Sequence, residues 1–158
     1  VAFEELEDRF QGEDLPSQAL LIPHPLEFDQ ISSAALEEHR AFLEKHGFTL
    51  EPFGRNFYRL TAHPTWLPQE AAVDFLRALI SALREGNIDP ARNVSAREAM
   101  ARMAASRRQR QGDRPGDDEV RLLVTRLLRC RQPLICPEGR PTFFEIPRRE
   151  IQKRLGLD

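Results

Sequence analysis

Between Pro68 and Gly86, the residues Ala72, Val73, Leu76, Leu79, Ile80 and Leu83 recur at three- and four-residue spacing. That period belongs to an amphipathic helix rather than a strand, and Gly86-Asn87 is a fitting stop. A helix with one apolar stripe must bury it against something, so the chain needs a packed core. With 41% hydrophobic and 30% charged residues it has the means, and wholesale disorder is excluded. The 158 residues suit one ordinary domain or two small lobes. No apolar run approaches the roughly eighteen residues a membrane-spanning helix requires. The opening VAFEELEDRF is acidic and amphipathic and does not read as a secretory leader.

The rest of the chain divides at its glycines and prolines. Phe3, Leu6 and Phe10 predict a short helix over 2–10, ended by Gly12 and Pro16. ALLIP at 19–23 reads as a short buried strand closed by Pro23 and Pro25. A helix capped by Ser32 or Ser33 runs to about His46, with Ala35, Leu36, His39, Phe42 and Leu43 inward and Gly47 as its stop. Phe48–Phe53 and Phe57–Thr61 flank Gly54-Arg55-Asn56 as a hairpin. Beyond the connection at 88–93, Ser95 and Glu98 form a capping box opening a helix to about Gln111. Asp117 or Asp118 caps the next helix, which ends before Pro133. Thr142–Ile146 reads as a strand, and Pro147 starts a last helix closed by Gly156.

The net charge of −2 conceals a basic set that is nearly all arginine, the lysines being Lys45 and Lys153. Arginine pairs with carboxylates and phosphates in a bidentate way, although genome composition produces the same bias. Arginines gather after residue 91, and Arg107, Arg108, Arg110 and Arg114 are the densest cluster. Such a cluster could follow phosphates or simply solvate a helix end. Two cysteines, Cys130 and Cys136, are too few for a disulfide scaffold and fit a reducing compartment.

Three stretches carry a family likeness. CPEGRPTFFEIPRREIQKRLG at 136–156 resembles the end of MutL-family mismatch-repair proteins, which typically reads CPHGRPT followed by a strand and a helix. LEPFG at 50–54 resembles the middle lobe of the same C-terminal domain, and QGD at 111–113 stands where the family has AGD. The resemblance covers essentially the whole chain in order. It implies an α+β fold of two lobes, with a regulatory lobe over 17–90 inserted into a discontinuous dimerisation lobe made of 1–16 and 91–158. It also implies a homodimer, mismatch-recognition and repair partners, weak DNA contact, and a cytoplasmic, nucleoid-associated protein. The ATPase region, and with it ATP, belongs upstream of this segment.

Nuclease-active members carry a DxHAxxER-type stretch just before an aromatic–Glu pair, and Phe3-Glu4 matches that pair. The resemblance places Cys136 and Glu138 at the family's Cys and His metal positions, with Glu4 as a third candidate. The family's ACH reads Ala104-Ala105-Ser106 here. Zinc favours thiolate and imidazole and takes four ligands, so Glu4, Cys136 and Glu138 make a vestigial site for zinc or manganese at most. His24, His39, His46 and His63 do not supply the missing ligand: His24 and His63 precede prolines in expected loops, and His46 suits a helix C-terminus. No nucleophile–base set or phosphate loop is present, so no catalytic residue is assigned.

Gln18-Ala-Leu-Leu21-Ile-Pro23 fits Q-x-x-[L/I]-x-P, the pattern by which bacterial proteins dock on the β sliding clamp. Apolar side chains fill a groove while a glutamine makes oriented hydrogen bonds. If Leu20 and Ile22 face the lobe, alternation leaves Leu21 pointing outward beside Gln18. The reading is a dimerisation and clamp-docking module with a decayed nuclease site. Its alternatives are a metal-dependent nicking endonuclease and a protein-binding adaptor with no DNA role.

Overall fold

The computed structural model describes residues 1–10, 15–108 and 116–156, without the side chains of 93–95 and 107–108. The mixture of helices with an antiparallel sheet is the expected α+β class. The chain divides into two compact units, residues 2–112 and residues 113–158 with Val1.

In the first unit, α1 (Ala2–Arg9) buries Leu6, and Phe10 is buried just beyond its end. Strand β1 (Ser17–Glu27) is longer than the sequence suggested, because neither Pro23 nor Pro25 closes it. The sheet order explains why. With β2 (Thr49–Gly54) and β3 (Phe57–Pro64), the order is β1-β3-β2, so β1 is an edge strand, where a residue without an N–H is tolerated. The β2–β3 turn is Arg55-Asn56, and Asn56 takes the left-handed conformation at φ 64° that asparagine accepts at low cost.

The helix expected from Ser32 begins earlier and is broken. Asp29 is the cap of α2 (Gln30–Glu38): its Oδ1 accepts the N–H groups of Ile31 and Ser32 at 2.9 Å, and its Oδ2 accepts the Ser32 hydroxyl at 2.7 Å. Those bonds, the Ser32 N–H first, hold the Asp29 carboxyl below its usual range. At His39 (φ −106°) the helix interrupts, and α3 (Arg40–Lys45) follows. Arg40 grips Glu37 at 2.8 Å and donates to the Leu50 carbonyl at 3.1 Å, tying α3 to β2. Gly47 stops the segment at φ 87°, where an added Cβ would meet Pro64 Cα at 3.1 Å.

Helix α4 (Gln69–Arg84) matches its stripe, with Phe75, Leu76, Leu79 and Ile80 fully buried. Helix α5 (Asn93–Arg108) is already under way at Ser95, so that residue does not open it. Its Ala96, Met100 and Ala101 are buried in one cluster with Leu6, Phe10, Leu60, Trp66 and Phe75, and α1 packs on α5 across most of the unit's sequence.

In the second unit, α6 (Asp117–Leu128) is preceded by Gly116 as its N-cap, in place of the expected aspartates. Asp117, Asp118 and Glu119 occupy its first turn, where carboxylates favour the helix dipole. The stretch Thr142–Ile146 is not a strand: an isolated bridge joins Ile135 to Pro141, and residues 142–147 are irregular. Pro147 caps α7 (Arg148–Arg154), and Gly156 follows at φ 64°. No described residue from 116 to 156 is buried.

Candidate docking segment and the predicted metal residues

Ser17, Gln18 and Ala19 pair with Pro64, His63 and Ala62, and pairing resumes only at His24, opposite Leu60. Residues 20–23 therefore stand against Thr61 alone, four residues facing one. Such an insertion forces the longer chain out of the ladder. Within it Leu21 is 98% exposed and Ile22 78%, whereas Leu20 is half-buried and packs on the core. Gln18 and Pro23 are exposed at either end of the segment.

The expected orientation of Leu20 and Leu21 is thus observed, and that of Ile22 is corrected. Alternation holds only where a strand is hydrogen-bonded in register, and Ile22 is outside the register. The sequence predicts ALLIP as a buried strand, whereas Leu21 and Ile22 are both exposed in it. The signal available was the run of three apolar residues ahead of Pro23 and Pro25.

Both roots of the segment are fixed. The Thr65 N–H donates to the Pro16 carbonyl at 3.0 Å, and Leu15 donates to Lys45 at 3.3 Å. On the far side, Phe28 donates to the Asn56 carbonyl at 3.0 Å.

The metal candidates are divided between the units. Glu4 is half-buried on α1, in the first unit. Cys136 and Glu138 share a turn in the second, closed by Cys136 N–H to Arg140 O at 2.8 Å and Gly139 N–H to Cys136 O at 2.9 Å. Cys136 is a free thiol, and the Glu138 carboxylate lies 3.3 Å from the Arg140 guanidinium. A thiol and a carboxylate already engaged by arginine are half a zinc set, and zinc takes four donors. Ser106 spends its hydroxyl on the Met103 carbonyl at 2.9 Å. Among the described residues no three His, Cys, Asp or Glu side chains gather as a metal cluster.

The histidines depart from expectation in two respects. His24 and His63 are in β1 and β3 rather than in loops. His46 is buried, its Nδ1 is 2.7 Å from the Phe42 carbonyl, and its ring centroid lies 4.1 Å from that of Phe42. Burial holds its pKa below the ordinary value, against the bond to Phe42, so desolvation outweighs any helix-end attraction for a charged imidazole. Of the arginine cluster, the side chains of Arg107 and Arg108, and Arg110 and Arg114 entirely, lie outside the described residues.

The family profile of the MutL C terminal dimerisation domain matches residues 1–115, which is well over half of the chain. This chain belongs to that family. Among curated MutL proteins, the DNA mismatch repair protein MutL of Opitutus terrae is 43% identical over 156 residues, covering 98% of this chain and 25% of its own length. MutL of an Exiguobacterium strain is 36% identical over 138 residues, 86% of this chain and 22% of its own. MutL of a Geobacter strain is 32% identical over 155 residues, 97% of this chain and 24% of its own. The chain thus spans about a quarter of the MutL relatives it matches. The MutL profile ends before the CPEGRPT turn, but the Opitutus and Geobacter alignments span nearly the whole chain.

Proposed function

We propose that this chain is the dimerisation and sliding-clamp-docking module of a MutL-type mismatch-repair protein. The observation that carries the docking half is the four-residue excursion of β1, which holds Leu21 and Ile22 in solvent between Gln18 and Pro23. Isolated exposed apolar residues are ordinary, but adjacent ones on a segment secured at both ends suit insertion into a partner's groove. The dimerisation half rests on family membership and on the second unit, whose Leu123, Val124, Leu128, Ile135 and Phe144 are all exposed. The packing of α1 on α5 supports joining the two ends of residues 2–112 in one lobe; the full division, a dimerisation lobe of 1–16 and 91–158 around a regulatory lobe of 17–90, rests on the family resemblance.

Repair and mismatch-recognition partners follow from the same reading, as does phosphate contact through Arg107, Arg108, Arg110 and Arg114. The CPEGRPT turn is assigned no zinc, and a metal assay finding one tightly held ion per chain would overturn that assignment. Docking is tested by Gln18→Ala with Leu21→Ala, measured for clamp binding alongside melting temperature. Loss of binding at an unchanged melting temperature supports it. Retained binding overturns it, and a large fall in melting temperature would mean that the segment is core.

A further inference from the structure

The excursion of β1 contains slack. From Ala19 to His24 the chain takes five residue steps, whereas the paired positions on β3, Ala62 and Leu60, are two steps apart. At about 3.3 Å per residue the first path can reach roughly 17 Å and the second spans roughly 7 Å, so about 10 Å of chain is surplus. Surplus chain with no fastening would sample many conformations, and ordering them on binding would weaken docking.

One fastening is present. Leu20 is the one residue of 20–23 that is not exposed, and it packs against the cluster containing Leu60 and Phe75. The residues that follow it, Leu21 and Ile22, are the exposed pair. With the roots secured by Ser17–Ala19 and His24–Glu27, Leu20 divides the surplus into a pinned part and a displayed part.

We infer that Leu20 is a positioning residue: by packing against the domain's own core it sets Leu21 and Ile22 outward for the clamp without touching the clamp itself. This rests on the docking reading above. It predicts that the apolar side chain at the third motif position matters only while the segment is part of the folded domain. A free peptide has no core for Leu20 to enter.

The test compares the whole chain with synthetic peptides spanning Pro16–Pro25, each with and without Leu20→Ala, titrated against the β clamp. Leu20→Ala should weaken binding by the whole chain about tenfold through lost preorganisation and leave the peptide affinity unchanged. Leu20→Met, which keeps volume and hydrophobicity, should restore binding by the chain. Should Leu20→Ala fail to fold, Leu20→Val serves instead, with a loss of about two- to threefold in the chain and none in the peptide. Equal losses in chain and peptide would make Leu20 a direct anchor and overturn the inference, as would a Leu20→Ala chain that binds like the wild type. If Gln18→Ala with Leu21→Ala leaves binding intact, the docking reading itself has failed. If that double variant abolishes binding while Leu20→Ala does not, only the positioning role is lost.

Discussion

Residues 2–112 bury Leu36, Leu60, Phe75, Leu76 and Leu79 completely, whereas no described residue between 116 and 156 is buried. Both stretches contain well-formed helices, so helix formation is not what separates them. Helix α6 has acids in its first turn and Arg126 in its last, which suits its own dipole. Yet most helical stability in proteins comes from packing an apolar face, and α6 leaves Val120, Leu123, Val124 and Leu128 exposed. A segment of this size has too little interior to stand on its own core. The lesson is that the first unit closes on its own apolar residues, while the second leaves its own at the surface.

The largest expected effect breaks the comparison at its strong side. Phe75→Ala should cost about 3–5 kcal/mol in a urea titration, because Phe75 is fully buried and touches Phe48 and Trp66. Phe144→Ala, at 81% exposure, should stay within about 0.5 kcal/mol under dilute conditions. A Phe144 cost as large as that of Phe75 would abolish the distinction.

Next in size is a charge on the open helix. Leu123→Glu should weaken self-association by about 2 kcal/mol, roughly thirtyfold in dissociation constant, and leave the first unit's unfolding midpoint in place. Sedimentation velocity across a dilution series measures it.

A smaller effect sharpens the picture of the first unit. The folded pKa of His46 lies below its ordinary 6.5, chiefly because the ring is buried, with the Arg97 and Lys45 charges adding to the fall. The unfolded chain therefore takes up a proton as pH falls through about 6.5, and the folded chain resists it. This contribution is complete above that pH and is lost progressively below it. Melting temperature should drop between pH 7.5 and 5.5, and His46→Gln should flatten that slope. The smallest effect is Glu150→Gln on α7, whose pair with Arg154 is exposed and should be worth no more than about 0.5 kcal/mol by thermal melting.

Periodicity made α4 legible because its stripe depends on the helix alone, and the same holds for the inward residues Ala35, Leu36, Phe42 and Leu43. The start of α2 is ambiguous in the sequence because Asp29 and Ser32 are both competent caps, and in the fold Asp29 takes the role by accepting from Ser32 twice over. The extent of β1 is not legible in its own residues because its register is a property of the pairing with β3. The same cause hid the exposure of Ile22, while Leu21 was legible from the motif. Thr142–Ile146 has strand-forming residues but no ladder partner among the described residues, and propensity without a partner does not make a strand.

Sedimentation equilibrium of the chain over a hundredfold concentration range tests the central claim most directly. The account predicts a mass that rises from 18.2 kDa toward twice that value as the exposed face of the second unit finds its mate. A mass fixed at 18.2 kDa throughout, with the amides of α6 protected from exchange as strongly as those of α4, would contradict it.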